Sequence, residues 1–134
     1  MVCAACNDVA VQEQNTGTTL DYGVYETAVN RIFDADLNGR TCSAGGCHNV
    51  STGAGGSFKI YPGAAAGSME MLANFYSAKS LANLVSAPDS KLLLEPLAGN
   101  QSLVGSHTGG DIFLDTNDTN YITLLNWIAN PVSR

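Results

Sequence analysis

"TCSAGGCHN", residues 41–49, places two of the chain's four cysteines and one of its two histidines within seven positions. The other thiols are Cys3 and Cys6, and the other imidazole is His107. Thiol, thiol, then histidine directly behind the second thiol is the order of c-type haem attachment. The chemistry needs two sulfurs that reach two vinyl groups on one macrocycle edge, and an imidazole beside the second sulfur to land on the iron. Cys42, Cys47 and His48 meet that order. The common signature has two residues between the thiols; here there are four, and the extra pair must bulge outward. Gly45-Gly46 supplies the backbone freedom for that bulge. On this reading Cys42 and Cys47 carry one covalent haem, haem c, and His48 is the proximal iron ligand.

An iron in an electron carrier takes a second axial ligand. His107, Met69 and Met71 are the candidates, besides an open sixth position. His107 lies in "GSHTGGD" (105–111), whose small residues let backbone come close to a flat ring, and this favours it as the distal ligand. Met69 and Met71 sit in a stretch that reads better as core, where methionine fills irregular gaps.

Other readings compete for the same residues. Zinc accepts two sulfurs and two nitrogens, so Cys42, Cys47, His48 and His107 compose a possible tetrahedral set and a structural-zinc interaction module. Adjacent Cys47 and His48 rarely ligate one metal without strain. A Cys42–Cys47 disulfide with incidental histidines is a second rival. Just upstream, "DADLNG" (34–39) reproduces the first half of a calcium loop through Asp34, Asp36 and Asn38. The twelfth position of that loop is Gly45 instead of a bidentate glutamate, so a polar turn is the better expectation. "DTNDTN" (115–120) reads first as a helix-capping turn.

Charge restricts the partners. The 134 residues carry six basic and twelve acidic side chains, a net charge of −6. No cationic stripe exists to displace phosphate counterions, which disfavours nucleic acid and anionic lipid. A basic docking surface on a protein partner is the expectation instead. No apolar run approaches the ~20 residues of a membrane span. Charged residues are 13%, against about 25% in an average domain. That, with many Ser, Thr and Asn, suits an exported protein, periplasmic or extracellular, while composition alone leaves a cytosolic protein with reduced thiols open. "MVCAACNDVA" lacks the charged start and long apolar middle of a signal peptide, so a mature form is expected. Cys3 and Cys6 lack a following histidine, which argues against a second haem; they read as a small disulfide or as the trace of a lipid anchor in a precursor.

The length fits one domain with a real core. Residues 1–20 read as a flexible tail or linker and 21–134 as the domain. In 21–33, Tyr22, Tyr25, Val29, Ile32 and Phe33 recur at helical spacing behind Asp21. Residues 49–68, rich in Gly, Ala and Ser and broken by Pro62, read as a wrapping loop. A helix follows Ser68 over about 68–84, with Leu81, Leu84 and Val85 as its possible extension. "SKLLLEPLAG" (90–99) is a short helix stopped by Pro96, and 118–131 a strong one capped by Asp118 or Thr119 and ended by Pro131. Trp127 reads as core, and Arg40, Lys59 and Tyr61 as surface residues equally able to meet haem propionates. Nothing alternates like a strand over four residues, so the fold class is mainly α with long loops.

The order of Cys…Cys-His, "GGSF" (55–58), "SKLLLEPLAG", "HTGG" (107–110) and "YITLLNWI" (121–128) resembles the monohaem cytochrome c domains called planctomycete-type. The likeness covers about 22–130. Two departures are the four-residue thiol spacing and Thr108 where that family has glycine. The resemblance implies a cytochrome c-like helical domain wrapped round one covalent haem, with His48 proximal and His107 distal. It implies an electron-transfer protein with redox partners, not an enzyme. A haem-based small-molecule sensor is the alternative within the same fold.

Overall fold

Asp21 Oδ1 accepts a hydrogen bond from Val24 N at 3.0 Å and starts helix α1, residues 22–34. In this computed structural model the described residues are 17–99 and 107–134. Helix α1 is continuous but not uniform. Tyr22–Val24 and Asn30–Asp34 are α-helical, and Tyr25–Val29 between them is π-helical. The wider turn leaves Asn30 facing inward, 4% exposed, beside the buried Tyr25, Val29, Ile32 and Phe33.

Ser68 Oγ caps the second helix, α2 (Met69–Lys79), by accepting from Met71 N at 3.1 Å. Leu81, Leu84 and Val85 do not extend it. The chain turns at Ser80, and Leu84 and Val85 are exposed. A 3-10 turn, Ala87–Asp89, leads into the short α3 (Lys91–Leu94), where Pro96 lies just beyond the end as its missing N–H requires. Helix α4 (Thr119–Ala129) is capped by Asp118, whose Oδ1 accepts from Asn120 N and Tyr121 N.

The helices meet at an aromatic junction. The Tyr25 ring lies 5.3 Å from Trp127 of α4 and 5.4 Å from Phe75 of α2, the latter edge-on. Trp127 Nε1 donates to Asp21 O at 2.9 Å, which ties the last helix to the cap of the first. Trp127 therefore packs α4 against α1. Strands β1 (Thr18–Thr19) and β2 (Val132–Ser133) pair antiparallel and bring the two ends of the described chain together. This pairing and the buried Leu20 correct the tail boundary, because the folded unit already includes residues 18–20 of the stretch 1–20. Cys3 and Cys6 lie outside the described residues. Among the described residues the elements are mostly helices with one small sheet, which fits the coarse class, mixed or mainly helical. Among the described residues no helix is long and apolar enough to cross a membrane.

A buried amide carries order from this core towards residues 58–61. Asn74, fully buried on α2, donates to Asn30 Oδ1 and Tyr61 O, and accepts from Tyr61 N at 2.7 Å. Tyr25 Oη donates to the same Asn30 oxygen. Every bond here is internal to the fold, so the network fixes the height of the 58–61 backbone relative to α1 and α2. That backbone is what His48 rests on.

Candidate functional site

The cysteine segment is folded by its own backbone. Ser43 N donates to Phe33 O at 2.9 Å, which docks the segment on the end of α1. Successive turns, Ala44 N to Thr41 O and Cys47 N to Ala44 O, take up the four residues between the thiols, with Gly46 at φ +85°. His48 N then donates to Cys42 O at 2.9 Å and closes the loop. The spacing that departs from the common signature is thus absorbed by a tight turn, and Cys42 is bonded directly to the residue that follows Cys47. Both thiols are free and half-buried, so no disulfide joins them.

Burial pushes the Cys42 thiol up to about 11, with the nearby Cys47 and Asp34 adding to the rise and a backbone hydrogen bond opposing it. The thiol rather than the thiolate is present at neutral pH. In the haem-free folded protein, iodoacetamide at pH 8 should modify Cys42 about 10- to 100-fold more slowly than in the denatured chain, because burial keeps the sulfur protonated. Peptide mass spectrometry over time checks this; equal rates in both states would show that the thiol is not shielded.

His48 is held from both sides. Its Nδ1 lies 2.9 Å from Phe58 O. A carbonyl only accepts, so Nδ1 carries the proton. The ring packs on Phe58 at 4.7 Å between centroids, and Phe58 on Phe33 at 5.4 Å, which continues into α1. Ile60 N donates to His48 O at 2.7 Å, and Val50 N to Ile60 O, in a single parallel bridge. Gly55 lies so close that a methyl group there would overlap the His48 ring. Burial lowers the pKa of His48; the Phe58 carbonyl opposes this, and the proximity of His107 contributes to the lowering.

His107 is oriented in the same way by a different device. Its Nδ1 donates to Gly110 O at 2.9 Å, while Gly110 N donates back to His107 O at 2.8 Å, a closed turn within one loop. A side chain at Gly109 would stand 2.8 Å from His107 Cε1. The two imidazoles come together across 59 positions of sequence (107 − 48). Their centroids are 6.1 Å apart and their planes 14° from parallel.

The centroid separation and the small interplanar angle are compatible with an axial pair on one metal. With each Nδ1 bound to a carbonyl, the nitrogen left with an open lone pair on each ring is Nε2. Two metal–nitrogen bonds of about 2 Å, plus a ring radius at either end, span about 6 Å between centroids. The observed separation matches. Two imidazoles alone are a poor cage for a free ion, but they would suit a macrocycle that brings four nitrogens of its own. Among the described residues no three Cys, His, Asp or Glu side chains form a metal-holding group, so the Cys₂His₂ zinc tetrahedron is not assembled. Met69 is 77% exposed, and Met71 is 3% exposed within the hydrophobic core.

The calcium-like stretch is a turn. Asp36 Oδ1 accepts from Gly39 N at 2.6 Å, Asp34 Oδ2 from Gly63 N at 3.0 Å, and Asn38 donates to Ile112 O. The three side chains serve three separate backbone partners. In "DTNDTN", Asp118 caps α4 and Asp115 Oδ1 accepts from Asn117 N. Lys59 Nζ is bonded to Gly53 O, and Arg40 lies against Gly110. What sequence reasoning did not find are the two orienting carbonyls, of Phe58 and Gly110, and the ring-contacting Gly55. A backbone acceptor leaves no mark in residue identity, although the glycines do.

Comparison with known protein families, with curated proteins and with solved structures finds no match.

Proposed function

We propose that this chain is a single-haem c-type cytochrome that carries electrons, with haem c bound through Cys42 and Cys47 and its iron between His48 and His107. One observation carries the reading: two distant histidines meet at the separation of an axial pair, each turned by a backbone carbonyl so that Nε2 is open. The cysteine loop, closed by the His48 N to Cys42 O bond, supports it by holding the Cys42 backbone against that of His48.

When bound, the haem supplies one-electron iron chemistry. The chain's own part is positional. Phe58 O and Gly110 O each hold a proton on Nδ1 and so keep Nε2 basic. With His48 and His107 both holding it, a bound haem would offer a substrate no open site, so the role is a carrier's and not an enzyme's. Two imidazoles favour a lower potential than a His/Met pair, because methionine raises it. The net charge of −6 favours a redox partner with a basic docking face. An exported location, periplasmic or extracellular, belongs to this reading.

The test is expression in a host that matures c-type cytochromes, followed by a pyridine haemochrome spectrum and intact mass. A c-type spectrum, with the mass of one porphyrin retained after denaturation, is the expected result. A colourless product from that host would overturn the reading. The sensor alternative draws on the local hold of His107, whose orienting carbonyl is in its own loop; carbon monoxide bound by the reduced native protein at neutral pH would favour it.

A further inference from the structure

The stretch 34–40 has no part in the function proposed above, yet it is built with care. Leu37 N donates to Arg40 O at 2.7 Å and Arg40 N back to Leu37 O at 3.2 Å. Asn38 and Gly39 between them take φ +57° and +79°, the Asn-Gly pair of a type I′ hairpin turn. Asp36 braces the turn by accepting from Gly39 N.

Two side chains leave this hairpin and converge on one segment. Asn38 Nδ2 donates to Ile112 O at 3.0 Å, 74 residues on. The Arg40 guanidinium lies over Gly110, where an added Cβ would stand 2.9 Å from Cζ and 3.2 Å from Nε. Gly110 is the residue whose carbonyl orients His107. On the far side Ile112 N and Phe113 N both donate to Pro96 O. The peptide that aims His107 is therefore gripped from outside its own loop. His48 needs no such grip, because its carbonyl partner belongs to a buried residue, Phe58.

We infer that the 37–40 hairpin is a clasp on the distal-ligand loop, and that Asn38 and Arg40 are positioning residues that set how often His107 leaves the iron. The inference rests on the reading of His107 as distal ligand. Asn38 fixes the height of the segment at Ile112, and the flat guanidinium fixes the tilt of the Gly110 peptide. An incoming ligand meets only the fraction of molecules in which His107 is off, so its apparent affinity rises in proportion to that fraction.

The experiment titrates the haem-loaded ferric protein with free imidazole. Asn38→Asp keeps a residue that tolerates the left-handed turn but removes the Nδ2 donor. Arg40→Ala removes the guanidinium. Each should raise the apparent imidazole affinity by roughly 3- to 10-fold, the population shift that loss of one ordinary contact produces. Thioether mass and thermal midpoint, measured alongside, exclude general unfolding as the cause. In a His107→Ala background the same two changes should have no further effect, because their action runs through His107. Wild-type affinity in both single variants, with His107→Ala still changing the spectrum, would overturn the clasp alone. An effect that persists in the His107→Ala background would overturn it as well. A His107→Ala protein spectrally identical to wild type would remove the ligand reading and the clasp together.

Discussion

His107→Ala should turn the loaded protein from low-spin to high-spin and open it to carbon monoxide, while the haem stays covalently attached. The change is all-or-none in kind: no detectable binding becomes stoichiometric binding. Cys42, Cys47 and His48 form one backbone-closed loop docked on Phe33 O, and none of its hydrogen bonds passes through residue 107. His48→Ala should do something different. That ring packs against Phe58, and its Nδ1 proton satisfies the carbonyl of a buried residue. Its removal takes away the proposed proximal ligand, leaves Phe58 O without its donor and opens a hole on Phe58. Loss of an outer hydrogen-bond partner alone costs about 10–100-fold in metal affinity, so loss of the ligand itself should lower the yield of loaded protein by at least about that factor. Absorbance per polypeptide and the ferric spin state measure both outcomes. If the two variants behave alike, with equal loading and equal spectra, the proximal and distal assignments fail.

Much of this architecture is legible in residue order, for physical reasons that differ from place to place. Asp21, Ser68 and Asp118 each stand before an apolar helical stripe and each caps a helix, since the orphan N–H groups of a first turn need a short polar side chain at that position. The end of α2 was less readable. Leu81 continues the stripe and is partly buried, but it packs from a turn after Ser80, and apolar spacing does not tell a helix from a turn over the same core. The β1–β2 pair is two residues long on each side and joins positions 115 apart (133 − 18), so it has no periodicity to detect. At Asp34, Asp36 and Asn38 the residue types suit a cation loop, but Gly45 at the twelfth position favours a polar turn, and the backbone path closed between Leu37 and Arg40 is that turn, an Asn-Gly hairpin. At the candidate site the two histidines were readable from chemistry and small neighbours. Their alignment was not, because it is set by carbonyls at Phe58 and Gly110 and by the Asn74 network behind Tyr61.

The glycines that touch the rings carry the second large effect. Gly55 occupies the space beside His48 Nδ1 and Cε1, and also approaches Cys47 O within 2.8 Å of where a Cβ would be. Gly55→Ala must therefore move either the imidazole or the cysteine peptide. The ring is backed by Phe58 and the peptide by the Cys47 N to Ala44 O turn, so neither yields cheaply. Overpacking of this kind costs about 1–3 kcal/mol, and here its release breaks the Nδ1 bond to Phe58 O. At Gly109 the atoms nearest an added Cβ are those of the His107 ring, 2.8 Å to Cε1 and 3.6 Å to Nε2, and that ring is held by a turn within its own loop. The His107 ring can swing away without a change in the fold behind it. Gly55→Ala should thus lower both thermal stability and haem loading, whereas Gly109→Ala should leave loading intact and raise the high-spin fraction. Melting curves with and without haem, beside the ferric spectrum, separate the two. A Gly109→Ala protein that is fully low-spin would show that the ring seated against residue 109 is not the one that completes the iron's coordination.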